Sequence, residues 1–478
     1  MNDPALDGSE HGVPPVNGQP MSATRDGGEV RGAMRAPQRI LVVGSGAREH
    51  ALAWRLGRDP GVVEVHVAPG NDGMRDAATV HPSVGQVDFD RLVGLAGRLE
   101  IDLVVVGPEA PLAAGLVDRL AAAGIAAFGP SRAAARLESS KSFCREVAEA
   151  AGIPMADGAT FDRSDDAIRF TRRLAGPVVV KADGLAAGKG VAMCATADEA
   201  EAAIRASLDQ GIFGVAGRRV VVERQLIGRE ASLMAICDGS TALALPVARD
   251  HKRAGDGDTG PNTGGMGAYS PLPDLGTEEA ARLVEVFHRP ALAEMARRGT
   301  PFRGLLYAGL MLTPDGPRLL EFNVRLGDPE TEAVLPRIET PLAPLLLGAA
   351  DGSLASGGAA IDVGWHAAVA VVLAAAGYPG TPRTGDPIEG LDDARAGGAL
   401  VFHGGTTFVD GHFVTSGGRV LTIVGRGADV GAARAQAYEA AQRLRFDGMQ
   451  YRRDIAADTN GEIAPTGAAL PELAGAVT

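Results

Sequence analysis

The chain has 478 residues and a formal net charge of −13, from 46 Lys and Arg against 59 Asp and Glu. Its 45% hydrophobic and 22% charged content is that of an ordinary globular protein, and its length predicts roughly two to four domains. The acidic balance argues against generic binding to nucleic acid or an anionic membrane. No apolar run reaches the ~20 residues of a membrane span.

Cys144, Cys194 and Cys237 are too few and too scattered for a disulfide framework, and read as buried free thiols. The N-terminus lacks the apolar stretch of a secretory signal, so the expected compartment is the cytoplasm. Residues 1–37 are rich in Gly, Pro, Asp, Asn and Ser and read as a disordered leader, with order expected from Gln38. Strand signals at 39–43, 62–67, 101–106 and 125–128 alternate with helical stretches at 48–56, 88–98 and 111–123. That alternation predicts a small doubly wound domain with a parallel sheet over 38–130.

Beyond it the pattern is mixed and more antiparallel. Helices are predicted at 131–137, 141–151, 197–209 and 277–298. Strands are predicted at 177–182, 190–194, 218–226, 231–237, 241–249, 304–312 and 318–323. Strands at 366–375, 400–403 and 419–424 with a helix at 429–443 suggest a small C-terminal α/β domain over 359–470.

Four segments carry chemistry. Gly44-Ser45-Gly46-Ala47-Arg48-Glu49-His50 joins a strand to a helix, where free amides and the helix dipole favour an anion. Glu49 replaces the third glycine of a dinucleotide fingerprint, so a phosphate of another ligand is favoured over nicotinamide; glycines needed only for the turn remain the plainer reading. Lys181–Gly190 (KADGLAAGKG) is a glycine-rich hairpin loop with two lysines. It suits phosphate oxygens but is not a Walker A loop, because a strand follows it. In Leu319–Asn323 the period of two puts Glu321 and Asn323 on one strand face, as hard oxygen ligands suited to Mg²⁺; a merely polar strand face is the commoner cause of such a pattern. The stretch Asp250–Arg253 with Asp258–Pro271 is too polar and Gly-rich for a core element and reads as a functional loop. Its His251 is either a base or a hydrogen-bonded structural residue.

Together, and in this order, these motifs resemble the phosphoribosylamine–glycine ligases of the ATP-grasp superfamily. Further matching segments are APGN (68–71), VGPEAPL (106–112), EFNVRLGDPET (321–331), GYPG (377–380) and GGRVL (417–421). The resemblance spans about 38–455 and implies an N-terminal doubly wound domain at 38–138 and an ATP-grasp region at 139–358. A mobile lid at about 160–228 and a C-terminal domain complete the architecture. It implies a ligase that joins glycine to 5-phosphoribosylamine through glycyl phosphate, using ATP with Mg²⁺ or Mn²⁺. By resemblance, Lys141, Lys181, Gly184, Gly188, Lys189, Gly190, Glu223, Leu226 and Glu230 hold the nucleotide. Glu321 and Asn323 hold the metal. Arg325, with Asp328 nearby, receives the carboxylate of glycine. Gly44, Gly46, Arg48, Glu49, Asn71, Glu109 and Gly327 meet the substrates. The hinge Glu223-Arg224-Gln225-Leu226 departs from the acid and apolar pair expected there. A monomer working on small molecules, not on nucleic acid or membranes, is the expected state. Another ATP-grasp carboxylate–amine ligase, or a non-catalytic nucleotide binder, is the alternative.

Overall fold

The computed structural model describes residues 34–186, 190–355 and 361–457. Arg39–Gly44 lies at the centre of a five-stranded parallel sheet. It is flanked by Glu64–Pro69 and Thr79–Val80 on one side and by Leu103–Val106 and Ala127–Phe128 on the other. The run Ile40–Val43 is wholly buried, as a strand covered on both faces must be. The predicted helix at 111–123 is instead two, Glu109–Ala114 and Leu116–Ala122, because Gly115 between them is left-handed at φ +93°.

Two antiparallel sheets follow. The first runs Gly158–Phe161, Val220–Arg224, Val178–Ala182, Val191–Cys194, with helices Ser164–Leu174 and Ala197–Leu208 packed on it. It has a small core of its own, including Ile168, Val180, Ile204 and Val222. The second, the core sheet, runs Ala242–Ala244, Arg229–Asp238, Arg303–Thr313, Gly316–Asn323. Its outer strand pairs Asn323 with Tyr307 and Glu321 with Gly309.

The C-terminal sheet departs from expectation. Its order is Arg249–Asp250, Gly267–Ser270, Ala367–Ala374, Arg419–Gly427, Leu400–His403, so two of its five strands come from the stretch read as a polar loop. Gly267–Ser270 is fully buried, Tyr269 included: the glycines and polar residues around it hide the strand from a hydropathy reading, and a Cβ on Gly267 would sit 2.6 Å from the carbonyl oxygen of Ala370. The rest of the loop is an exposed hairpin, Arg253–Gly255 with Thr259–Asn262. The predicted strand 241–249 is therefore two strands in different sheets, and the C-terminal sheet reaches across the boundary expected near 359. Helix Leu342–Asp351 escapes a periodicity reading because it is apolar all round and shows no amphipathic period.

Order begins before Gln38. Met34 packs on the core, Pro37 is buried, and Arg35 pairs with Asp102 at 2.9 Å. A chain starting at residue 38 is therefore expected to melt lower than one starting at residue 34. The loss of about 1–3 kcal/mol of apolar burial corresponds to a few degrees. Equal melting temperatures by calorimetry would show that 34–37 contributes nothing to the fold.

Candidate functional site

The outer strand of the core sheet sets the centre. Phe322 and Val324 are buried while Glu321, Asn323 and Arg325 remain partly accessible, the period-two alternation expected of a strand with one open face. Burial opposes ionisation of Glu321, but Lys141, Lys252 and Lys181 hold its carboxyl well below the usual range. Lys141 Nζ lies 3.3 Å from Glu321 Oε2. An ionised carboxylate beside an amide oxygen fits a hard divalent cation. Among the described residues no cluster of three His, Cys, Asp or Glu could hold a metal, so a cation here would take its other ligands from phosphate and water.

Lys181 reaches across from the first antiparallel sheet and donates to the carbonyl of Leu320 at 2.9 Å. Its counter-ion is Glu223, 2.6 Å away and also 3.2 Å from Arg145. The Glu223 side chain is thus spent on ion pairs. The amides of Arg224 and Gln225 donate to the carbonyls of Asp157 and Pro177, so the hinge is tied on both sides. Leu226 follows half-exposed. Gly184 donates to the carbonyl of Ala216, and a Cβ there would lie 2.8 Å from Ala216. Gly190 accepts from the amide of Ala182. Gly188 and Lys189 lie outside the described residues.

Arg325 does not pair with Asp328 or Glu330. It lies 3.3 Å from Glu138 and 3.6 Å from Glu109. Glu138 also accepts from the amide of Val324 at 2.7 Å, which fixes the backbone beside the guanidinium. Asp328 pairs with Arg419 at 3.0 Å, and Arg419 also donates to the carbonyl of Gly264. A Cβ on Gly327 would collide with Glu330.

The 44–50 turn abuts this strand end. Arg48 donates to the carbonyl of Leu326 at 3.1 Å and to Glu49 at 2.6 Å. Glu49 caps its own helix by accepting from the amide of Gly46 at 2.7 Å. It fills space that side chains at Gly44 or Gly107 would need. One anion-seeking amide of the turn is therefore already satisfied from within. Asn71 is likewise engaged: its amide donates to the carbonyls of Ser45, His403 and Gly404 and its oxygen accepts from Gly73, so it pins the turn to the C-terminal sheet.

Sequence reasoning misses several residues of this cleft. Lys252 pairs with Glu230 at 2.6 Å, and that neighbour raises its ammonium well above the ordinary range against the opposing effect of burial. Asp250 has a buried Oδ1 with no hydrogen-bond partner among the described residues, and burial together with Glu330 pushes its carboxyl up. Glu330 accepts from Ser232 and Tyr307 at 2.9 and 2.8 Å. Asp183 accepts from the amide of Ser142 at 2.7 Å and ties the lysine strand to the helix of Lys141. The sequence does single out the motif containing Asp250 and Lys252, but through its histidine. The His251 ring accepts from the amide of Ala456 at 3.3 Å, which fits the structural reading of that residue.

Three segments match the phosphoribosylglycinamide synthetase family: its N domain at 38–138, its ATP-grasp (A) domain at 139–331 and its C domain at 368–458. The phosphoribosylamine–glycine ligase of Streptomyces coelicolor is 50% identical over 428 residues, covering 88% of this chain and all of that protein. The Rhodopirellula baltica ligase is 47% identical over 423 residues, covering 87% and 96%. The crystal structure of the Thermotoga maritima ligase superposes with a TM-score of 0.75 at 36% identity, over 87% of this chain and all of that one. The biotin carboxylase domain of Hydrogenobacter thermophilus 2-oxoglutarate carboxylase, solved with MgADP, shares the fold alone, at TM-score 0.64 and 15% identity over 87% of this chain and 92% of that one. The chain belongs to the phosphoribosylglycinamide synthetase family of ATP-grasp ligases, which join phosphoribosylamine to glycine with ATP in purine biosynthesis.

Proposed function

We propose that this chain activates the carboxylate of glycine as glycyl phosphate and passes the glycyl group to the amine of 5-phosphoribosylamine, each step served by its own part of the cleft. The observation that carries the reading is the convergence of Lys141, Lys181 and Lys252, from three separate elements, on the one ionised carboxylate Glu321. A metal bound by Glu321 and Asn323 would neutralise charge on the transferring phosphoryl group. Lys141 and Lys181 lie beside it to hold phosphate oxygens. The lid over about 160–228 has its own small core, which supports its moving as a unit over the nucleotide and excluding water from the acyl phosphate. Glu230, fixed by Lys252, is placed for the ribose, and the 223–226 hinge for adenine through its backbone.

Arg325 is the carboxylate clamp for glycine. Glu109 and Glu138 hold it in the ligand-free cleft, and the more exposed Glu109 is the partner an incoming carboxylate displaces. Asp250 is the seat for the ammonium of glycine. No cation forms an ion pair with it among the described residues. Glu330 and Tyr307 lie within electrostatic reach of both Asp250 and Arg325, so the two ends of a small zwitterion are accommodated in one polar cluster. The Gly264-Gly265 stretch keeps that pocket small: a Cβ on Gly265 would sit 2.8 Å from Asp250 Oδ1. The 44–50 turn, Asn71 and Gly327 border the end where the phosphoribosyl amine arrives, with Asp328 beside them.

A monomeric working unit is part of the same reading. The charge of −13 disfavours polyanionic partners, and among the described residues no helix is long and apolar enough to cross a membrane. A cytoplasmic enzyme acting on small molecules fits both.

Glu321→Gln and Asn323→Ala are each expected to lower kcat by about two orders of magnitude or more while the fold persists, since loss of one ligand leaves phosphate charge uncompensated. Wild-type turnover at limiting Mg²⁺ would overturn the metal assignment. Arg325→Lys is expected to raise KM for glycine about tenfold or more with a small effect on that for ATP, because lysine cannot make two parallel bonds to a carboxylate. A thermal melt run beside the kinetics separates this from a stability loss: a shifted melt with an unchanged glycine KM would make Arg325 a purely structural partner of Glu138.

A further inference from the structure

The segment 451–457 is stitched to the loop that carries Asp250. Arg452 is 1% exposed, and two of its partners lie far away in sequence. It donates to Asp258, 194 residues distant, at 2.5 Å, to the carbonyl of Arg253 at 3.3 Å and to Asp454 at 2.6 and 2.7 Å. Around it, the amide of Gly257 donates to Asp454 at 2.8 Å and the amide of Arg453 to Asp256 at 2.7 Å. The amide of Ala456 donates to His251, the residue after Asp250. On its other side the segment is fixed to the C-terminal helix Val430–Ala441, where Tyr438 donates to the carbonyl of Arg452 at 2.8 Å and Arg434 to that of Ile455 at 2.9 Å.

The hairpin held in this way cannot hold itself. Its strands are three and four residues long, and Thr259–Asn262 is exposed throughout. A two-stranded ribbon of that size is marginal in water, so its place must be set from outside. The mechanism leaves this anchor without a role.

We propose that Arg452 is a positioning residue for the ligation. By gripping Asp258 and the carbonyl of Arg253 it fixes the 253–262 hairpin, and with it Asp250, in the glycine pocket, while touching no substrate itself. This rests on the reading of Asp250 as the ammonium seat. Lys252 keeps its own tie to Glu230 on the core sheet, so the nucleotide depends less on the anchor.

The test is steady-state kinetics on the full chain. Asp258 is 69% exposed at its side chain and left-handed at φ +53°, a conformation asparagine adopts readily, so Asp258→Asn removes the charge pair without unfolding pressure. Asp258→Asn and Arg452→Lys are each expected to raise KM for glycine about tenfold and KM for ATP by less than about twofold, with the double variant no worse than Arg452→Lys alone because both remove one contact. An unchanged glycine KM in Asp258→Asn would overturn the proposal. So would a parallel rise in both KM values with a lowered melting temperature. Asp250→Asn separates the two readings. If it leaves the glycine KM unchanged, the ammonium seat fails and the anchor's role with it. If it raises that KM while Asp258→Asn does not, the seat stands and the anchor alone fails.

Discussion

Everything in the cleft depends on keeping Glu321 ionised in a place where burial opposes its charge. Three lysines do this, and they come from three parts of the chain. Lys141 starts the helix Lys141–Ala150, Lys181 lies in the strand Val178–Ala182, and Lys252 follows the edge strand Arg249–Asp250 of the C-terminal sheet. A carboxylate desolvated beside a single lysine would hold its charge poorly. The site therefore exists only while these three elements keep their places around the core sheet. Asp183 between two of the lysines and Asn71 between two domains each make several bonds that keep them there.

The cleft's cations are compensated from within. Lys181 faces Glu223, Lys141 faces Glu321, Lys252 faces Glu230, and Arg325 faces Glu109 and Glu138. Such pairing limits the desolvation cost of assembling many charges in one place. It also leaves the cleft a poor trap for stray anions. A nucleotide arriving with its divalent ion brings both signs of charge, so it can exchange partners with these pairs instead of stripping them. Asp250 is the exception: burial and a second acid, Glu330, outweigh the influence of Lys252 and Arg419 on it.

How far the sequence reveals this depends on how local each feature is. The alternation through Glu321, Phe322 and Asn323 needs only the pleat of one strand, and it was legible. The parallel sheet was legible from β-rich runs separated by helices, with ends misplaced by about two residues, as at Glu64 and Leu103. The role of Lys252 was not legible, because its partner Glu230 lies on another strand and its influence on Glu321 crosses a sheet. Nor was the burial of Gly267–Ser270, since one tyrosine among glycine, alanine and serine makes a weak hydropathy signal, and it is the pairing with Val369 and Val371 that shows the strand is internal. The family resemblance picked out motifs that the fold brings around one cleft, but not the ion pairs among their residues. In Asp250–Arg253 the loop reading drew attention to the histidine, while the partly buried acid and base beside it are Asp250 and Lys252.

The same locality argument bears on specificity. Glycine is distinguished from other amino acids only by what it lacks, so a binding pocket must discriminate by exclusion, and exclusion needs rigid walls. In the pocket proposed for glycine, that wall would be backbone: Gly264 and Gly265, with the carbonyl of Asp328 and the ring of Pro329, close to Asp250. Arg419 ties that backbone together by donating to the carbonyls of Gly264 and Asp328. A pocket lined by long side chains could adjust to admit alanine or serine; one lined by glycines cross-tied through an arginine has little room to do so. The glycine-rich stretch that reads from sequence as a functional loop is, on this reading, the least compliant surface of the site.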